Sequence, residues 1–173
     1  QVDLSGVKPG DAVTVEVVAS DAAGNFVVVW DSYGSAGSDG WASSVQARRY
    51  TANLSPIGGQ FQVNPHTTGA QDYPSVASDA AGNFTVVWQS QAHGSTDAAD
   101  VKGQVYDATG AAIDAEFQVN TYTTSVQSYP AVASDSVGNF VVVWQSNGSA
   151  ETDSSSESVQ GQRYLPEPTF VQS

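Results

Sequence analysis

The stretch Val76–Ser90 reads VASDAAGNFTVVWQS, and close copies stand at Val18–Ser32 (VASDAAGNFVVVWDS) and Val132–Ser146 (VASDSVGNFVVVWQS). Their tryptophans, Trp30, Trp88 and Trp144, are 58 and 56 residues apart, and Gly24, Gly82 and Gly138 keep the same intervals. Self-similarity at such a period marks a repeat architecture, and it decides what every other segment packs against.

The unit extends beyond this stretch. FQVN at Phe61 returns at Phe117, and VQARRY, VKGQVY and VQGQRY end at Tyr50, Tyr106 and Tyr164, so four short apolar segments recur per unit. Each is too short and too β-branched for a helix. In FTVVW, Phe84, Val86 and Trp88 point one way and Thr85 and Val87 the other, which makes both faces largely apolar. A strand apolar on both sides must be covered on both sides, and stacking each sheet between copies of itself does this.

The expected fold is therefore all-β: three tandem four-stranded antiparallel sheets, with a threefold β-trefoil-like body as the alternative. The repeats are drawn as residues 1–59, 60–116 and 117–173, with VDLSG near the start as a degenerate FQVN and TFVQS as a closing strand. SDAAGN supplies the turn before the Trp strand. Asp21, Asp79 and Asp135 can accept backbone amides across it, and the following glycine can take a positive φ. The small residue at Ala47, Gly103 and Gly161 suits close approach by a bulky neighbour such as the repeat's tryptophan.

A strand, an Asp and Gly turn and an aromatic strand together resemble a β-propeller blade, and SDAAGNF loosely resembles the Asp-box of sialidase-type propellers, although here Ser78 abuts Asp79 and Gly82 lies three residues on. GNFVVVWQS, GQRY and EFQVN are similar to repeats of secreted bacterial surface proteins described as adhesin-like. That resemblance implies an extracellular or cell-surface location. Leu165–Thr169 resembles the Pro-Glu-Pro sorting signal of exported bacterial proteins, and a proline-stiffened turn accounts for the same residues. With Gln1 first and no methionine anywhere, the chain reads as a processed or trimmed product.

Charge narrows the partners. Only 13% of the 173 residues are charged, yet the net charge is -13, so neither nucleic acid nor an anionic membrane is an expected partner. With no cysteine, disulfides and thiolate chemistry are excluded. His66 and His93 do not recur in the other units and have no partner identifiable by spacing, so no catalytic residues are expected. The loop acids Asp31, Asp39, Asp97, Asp100, Glu151 and Asp153 are candidate oxygen ligands for Ca²⁺, against the plainer role of keeping the surface soluble. Trp41, alone in its loop, can stack on a sugar or fold back over the first unit.

These readings point to a non-catalytic extracellular structural protein whose partners are copies of itself, assembling through the terminal strands VTVEVV and TFVQS. The alternative is a carbohydrate-binding module reading glycans with its variable loops and Trp41.

Overall fold

A computed structural model describes residues 13–33, 42–91, 98–148 and 157–165. They form eleven strands in three antiparallel sheets. The first sheet holds β1 (Val13–Ser20), β2 (Phe26–Tyr33), β3 (Ser43–Tyr50) and β4 (Pro56–Gln62). The second holds β5 (Gln71–Ser78), β6 (Phe84–Gln91), β7 (Ala99–Tyr106) and β8 (Ala112–Gln118). The third holds β9 (Gln127–Ser134), β10 (Phe140–Asn147) and β11 (Glu157–Tyr164). Strands follow one another in sequence order within each sheet. This is the tandem-sheet arrangement expected from the repeat.

Burial follows the two-faced pattern of the Trp strand. Phe84, Val86 and Trp88 of β6 pack with Val27, Val29 and Val45 of the first sheet. On the other face of the same sheet, Val87 and Val101 pack with Phe140, Val142 and Trp144 of the third. The middle sheet is thus the filling between two others, which is why its apolar strand needs no polar face.

The ends of the repeated segments meet each other. The phenylalanine of each GNF and the tyrosine of each QARRY-type segment are cross-strand partners. Their rings stack in all three sheets: Phe26 on Tyr50, Phe84 on Tyr106 and Phe140 on Tyr164, with interplanar angles of 13°, 11° and 12°. Such pairs stabilise a sheet as i,i+4 pairs stabilise a helix.

FQVN behaves differently from the sequence reading. Phe61 and Phe117 lie in β4 and β8, paired with Ala47 and Gly103, so these residues close the preceding sheet rather than open the next repeat. The boundaries drawn at residues 60 and 117 therefore fall inside strands. At Gly103 the close neighbour is this phenylalanine and not the tryptophan, since a Cβ there would stand 2.5 Å from Phe117 Cζ, and at Gly161 it is Val143 Cγ1 at 3.4 Å. Asn64 and Asn120, which end the motif, accept from Val45 N and Val101 N at 2.8 and 2.7 Å, latching the fourth strand to the third. VDLSG and TFVQS lie outside the described residues.

The Asp and Gly turns repeat to within a few tenths of an ångström. Asp79 Oδ1 accepts from Ala81 N and Asn83 N at 2.9 Å, and Oδ2 accepts from Asn83 Nδ2 at 2.7 Å. Asp21 and Asp135 do the same with their own neighbours. Gly82 has φ +92, a conformation a side chain would strain.

The tryptophans are not equivalent. Trp88 Nε1 donates to Gln71 Oε1 and Trp144 Nε1 to Gln127 Oε1, both at 3.0 Å. Trp30 Nε1 is buried and has no partner among the described residues. At the register position of Gln71, opposite Ser90, the first sheet carries Val13 opposite Ser32. Trp30→Phe removes an unmet donor, whereas Trp88→Phe leaves Gln71 Oε1 unmet. The second substitution is expected to cost about 1–2 kcal/mol more than the first in urea titrations; equal costs would show that the tryptophan N–H contributes nothing.

Candidate functional site

In the second and third sheets β6 and β10 end beside the starts of β5 and β9. Two carboxylates meet at that end. Asp31, in β2, shares the face of Val27 and Val29 toward the second sheet, and Asp72 is the second residue of β5. Asp72 Oδ1 accepts a hydrogen bond from Ser43 Oγ, the first residue of β3, so the carboxylate bridges from the second sheet to the first.

Both acids are pushed above the ordinary carboxylate range. For Asp31 burial is the main cause and the charge of Asp72 adds to it. For Asp72 burial raises the pKa and the Ser43 hydrogen bond opposes it. A raised folded-state pKa means that the folded chain holds its proton longer than the unfolded one, so stability falls as pH rises through that window. Asp31→Asn is therefore expected to raise the urea midpoint at pH 7, with the gain fading as pH falls through the raised folded-state value and gone below the ordinary Asp value of 3.8. A gain that persists unchanged in acid would show that charge is not its source.

Next to Asp72 stands Tyr73, and at the matching place in the third sheet stands Tyr129. Their φ values are 52 and 51, left-handed conformations that are outliers for bulky side chains. Each precedes a proline, Pro74 or Pro130, where the chain ordinarily prefers to be extended. The register skips here, between Asp72 and Ser75 and, in the third sheet, opposite Trp144. Irregularities of this kind re-aim side chains. The two rings, 39% and 57% exposed, meet across the sheets with centroids 4.7 Å apart and planes tilted by 59°. The buried Trp88–Gln71 and Trp144–Gln127 hydrogen bonds anchor the residues just ahead of both bulges.

Of the acids singled out from sequence, Asp31 belongs to this site. Asp100 does not: it accepts from Asn120 Nδ2 at 2.8 Å and Gln118 Nε2 at 3.3 Å within the second sheet. Among the described residues no group of three or more His, Asp or Glu side chains could hold a metal ion. Asp39, Asp97, Glu151, Asp153, His93 and Trp41 lie outside the described residues. His66 is exposed to solvent and hydrogen-bonds Thr68 Oγ1 through Nε2 at 2.5 Å. Asp72 and the tyrosines escaped the sequence reading. The available signal was the repeated Tyr-Pro in DYPSVAS and SYPAVAS, which puts a proline where a strand interior should donate.

No protein-family model and no curated protein matches the chain. Among solved structures it is similar to a thermostable family-43 glycoside hydrolase, with TM-score 0.58 and 12% identity over 92% of this chain and 57% of that one. It is also similar to an endo-arabinase from Bacteroides thetaiotaomicron, with TM-score 0.55 and 12% identity over 94% and 60% of the two chains. Both are five-bladed β-propellers. The three sheets are stacked as propeller blades. The chain thus spans under two thirds of the solved structures it matches.

At this identity the likeness establishes the fold. It also corrects two expectations, that the chain is a non-catalytic structural protein assembling through its terminal strands and that it is no enzyme, because both neighbours are named as enzymes acting on carbohydrate. VTVEVV forms most of β1, which packs beside β5, the first strand of the next blade.

Proposed function

We propose that this chain is a carbohydrate-engaging propeller module whose site is the Tyr73–Tyr129 corner with Asp31 and Asp72 beside it. The observation that carries the reading is the tyrosine pair itself. Two neighbouring blades each hold an exposed aromatic ring in left-handed backbone directly before a proline, and strain of this kind collects at binding sites. Tilted aromatic faces take the apolar face of a sugar, and half-buried carboxylates accept from its hydroxyl groups. The net charge of -13 favours neutral glycans over uronates. An extracellular setting suits such polymers, and arabinan is the first to try because one neighbour is an endo-arabinase.

Affinity electrophoresis in gels containing neutral polysaccharides tests this. Retardation of the native protein is expected, with Tyr73→Ala and Tyr129→Ala each weakening binding about tenfold. Unretarded migration in every neutral polymer would end the proposal.

Glycoside hydrolysis is the second reading, favoured by the neighbouring carboxylates with raised pKa values. One of them can stay protonated as an acid while the other acts as a base. Release of reducing ends that disappears with Asp72→Asn would support it, and release that survives this change would remove Asp72 from the chemistry.

A further inference from the structure

The two interfaces between blades are built alike. Val27, Val29 and Val45 of the first blade lie under Phe84, Val86 and Trp88 of the second, and Val87 and Val101 of the second lie under Phe140, Val142 and Trp144 of the third. The turns are also joined in series. Ala22 N donates to Ala80 O at 3.4 Å, and Ala80 N donates to Ser136 O at 3.3 Å. Arg49 Nη1 reaches across the first interface to Ala108 O at 2.7 Å.

The third blade presents the same half-interface uncovered. Val141, Val143 and Val159 are 41%, 40% and 80% exposed, where their counterparts Val27, Val29 and Val45 are at most 3% exposed. Arg163 stands at the position of Arg49 and is exposed. An open groove of about 390 Å³ lined by Ala133, Asp135, Asn139, Val141 and Arg163 matches the one of about 170 Å³ lined by Ala19, Asp21, Asn25, Val27 and Arg49, which Gly82 and Ala108 of the second blade narrow.

We propose that this face docks a fourth sheet of the same repeat type, joined in tandem. Its Asp and Gly turn offers a carbonyl to Ser136 N, its next turn offers one to Arg163, and its Phe-x-Val-x-Trp strand covers Val141, Val143 and Val159. A second copy of this chain does not fit, because the matching face of its first sheet is already closed: Val28 and Trp30 are 1% and 0% exposed. Both described interfaces are made between units joined in tandem, through residues 63–70 and 119–126. The solved structures of this fold also continue beyond the length this chain spans.

The test appends a copy of residues 63–118 to the full chain. Binding of an apolar dye is expected to fall several-fold and Tm to rise by more than about 5 °C, with Val143→Asp and Arg163→Ala each cancelling much of both changes. A fusion that binds dye and melts like the parent overturns the proposal. In the parent itself Val143→Asp should leave Tm nearly unchanged while Val87→Asp lowers it steeply. Equal losses would mean that the face is already covered and would overturn the proposal without the fusion. Dimers of the parent that Val143→Asp abolishes would make a second copy the occupant and overturn it as well.

Discussion

Trp88→Ala is expected to lower the stability of the chain by about 3–5 kcal/mol, a large part of what a domain of this size holds in reserve. Trp88 is fully buried between the first and second blades, in one cluster with Val29, Val45, Val63 and Val86. Removing the indole opens a cavity that two rigid sheets cannot close, and it leaves Gln71 Oε1 without its donor. Because Gln71 begins the strand that carries Asp72 and Tyr73, the loss should extend to the site. Urea denaturation followed by circular dichroism measures the first effect, and glycan affinity of the folded fraction measures the second. Trp144→Ala should cost less, since its blade has one uncovered face and the side chain is 7% exposed. A Trp88→Ala midpoint within error of the native one would mean that the blades do not depend on each other.

Asp79→Ala should cost about 2–3 kcal/mol, because it leaves Ala81 N, Asn83 N and Asn83 Nδ2 without their charged acceptor. The loss is not local. The turn it shapes is the middle link of the series from Ala22 through Ala80 to Ser136 that joins all three blades. Asp21→Ala and Asp135→Ala break the same local bonds in turns at the ends of that series, and the Asp135 turn is exposed, so their costs should rank below that of Asp79→Ala. The hydrogen bond from Asn25 and the backbone amides hold Asp21 below the ordinary carboxylate range, and those from Asn139 do so for Asp135. Their contribution is therefore present above the unfolded carboxylate pKa and is lost as pH falls through the lower, folded value. This is opposite in sign to the behaviour of Asp31 and Asp72. Three equal losses among the Ala variants would show that each turn acts alone.

The outcome at the site follows from how a repeat conveys information. A motif present three times announces itself, so the Trp strand and the Asp turn were legible, whereas the stacking of the Phe and Tyr ends emerged only from the strand register. The site depends on departures from the repeat. Asp72 has Ser128 and Thr14 at its register positions, and the tyrosines occur in two units of three. Nothing in a one-dimensional reading brings Asp72 to Ser43, 29 residues away in another sheet.

By itself the sequence determined the class of the fold, the number of repeated units, the two-faced burial of the middle sheet and the geometry of its turns, because alternation and turn chemistry act over a few residues. Tertiary structure alone decided that FQVN closes a sheet, that Asp31 and Asp72 share a field, that two tyrosines form one corner, and that one blade face is left open. Those facts depend on which sheet lies against which, and that is set by the summed packing of whole faces rather than by any short segment.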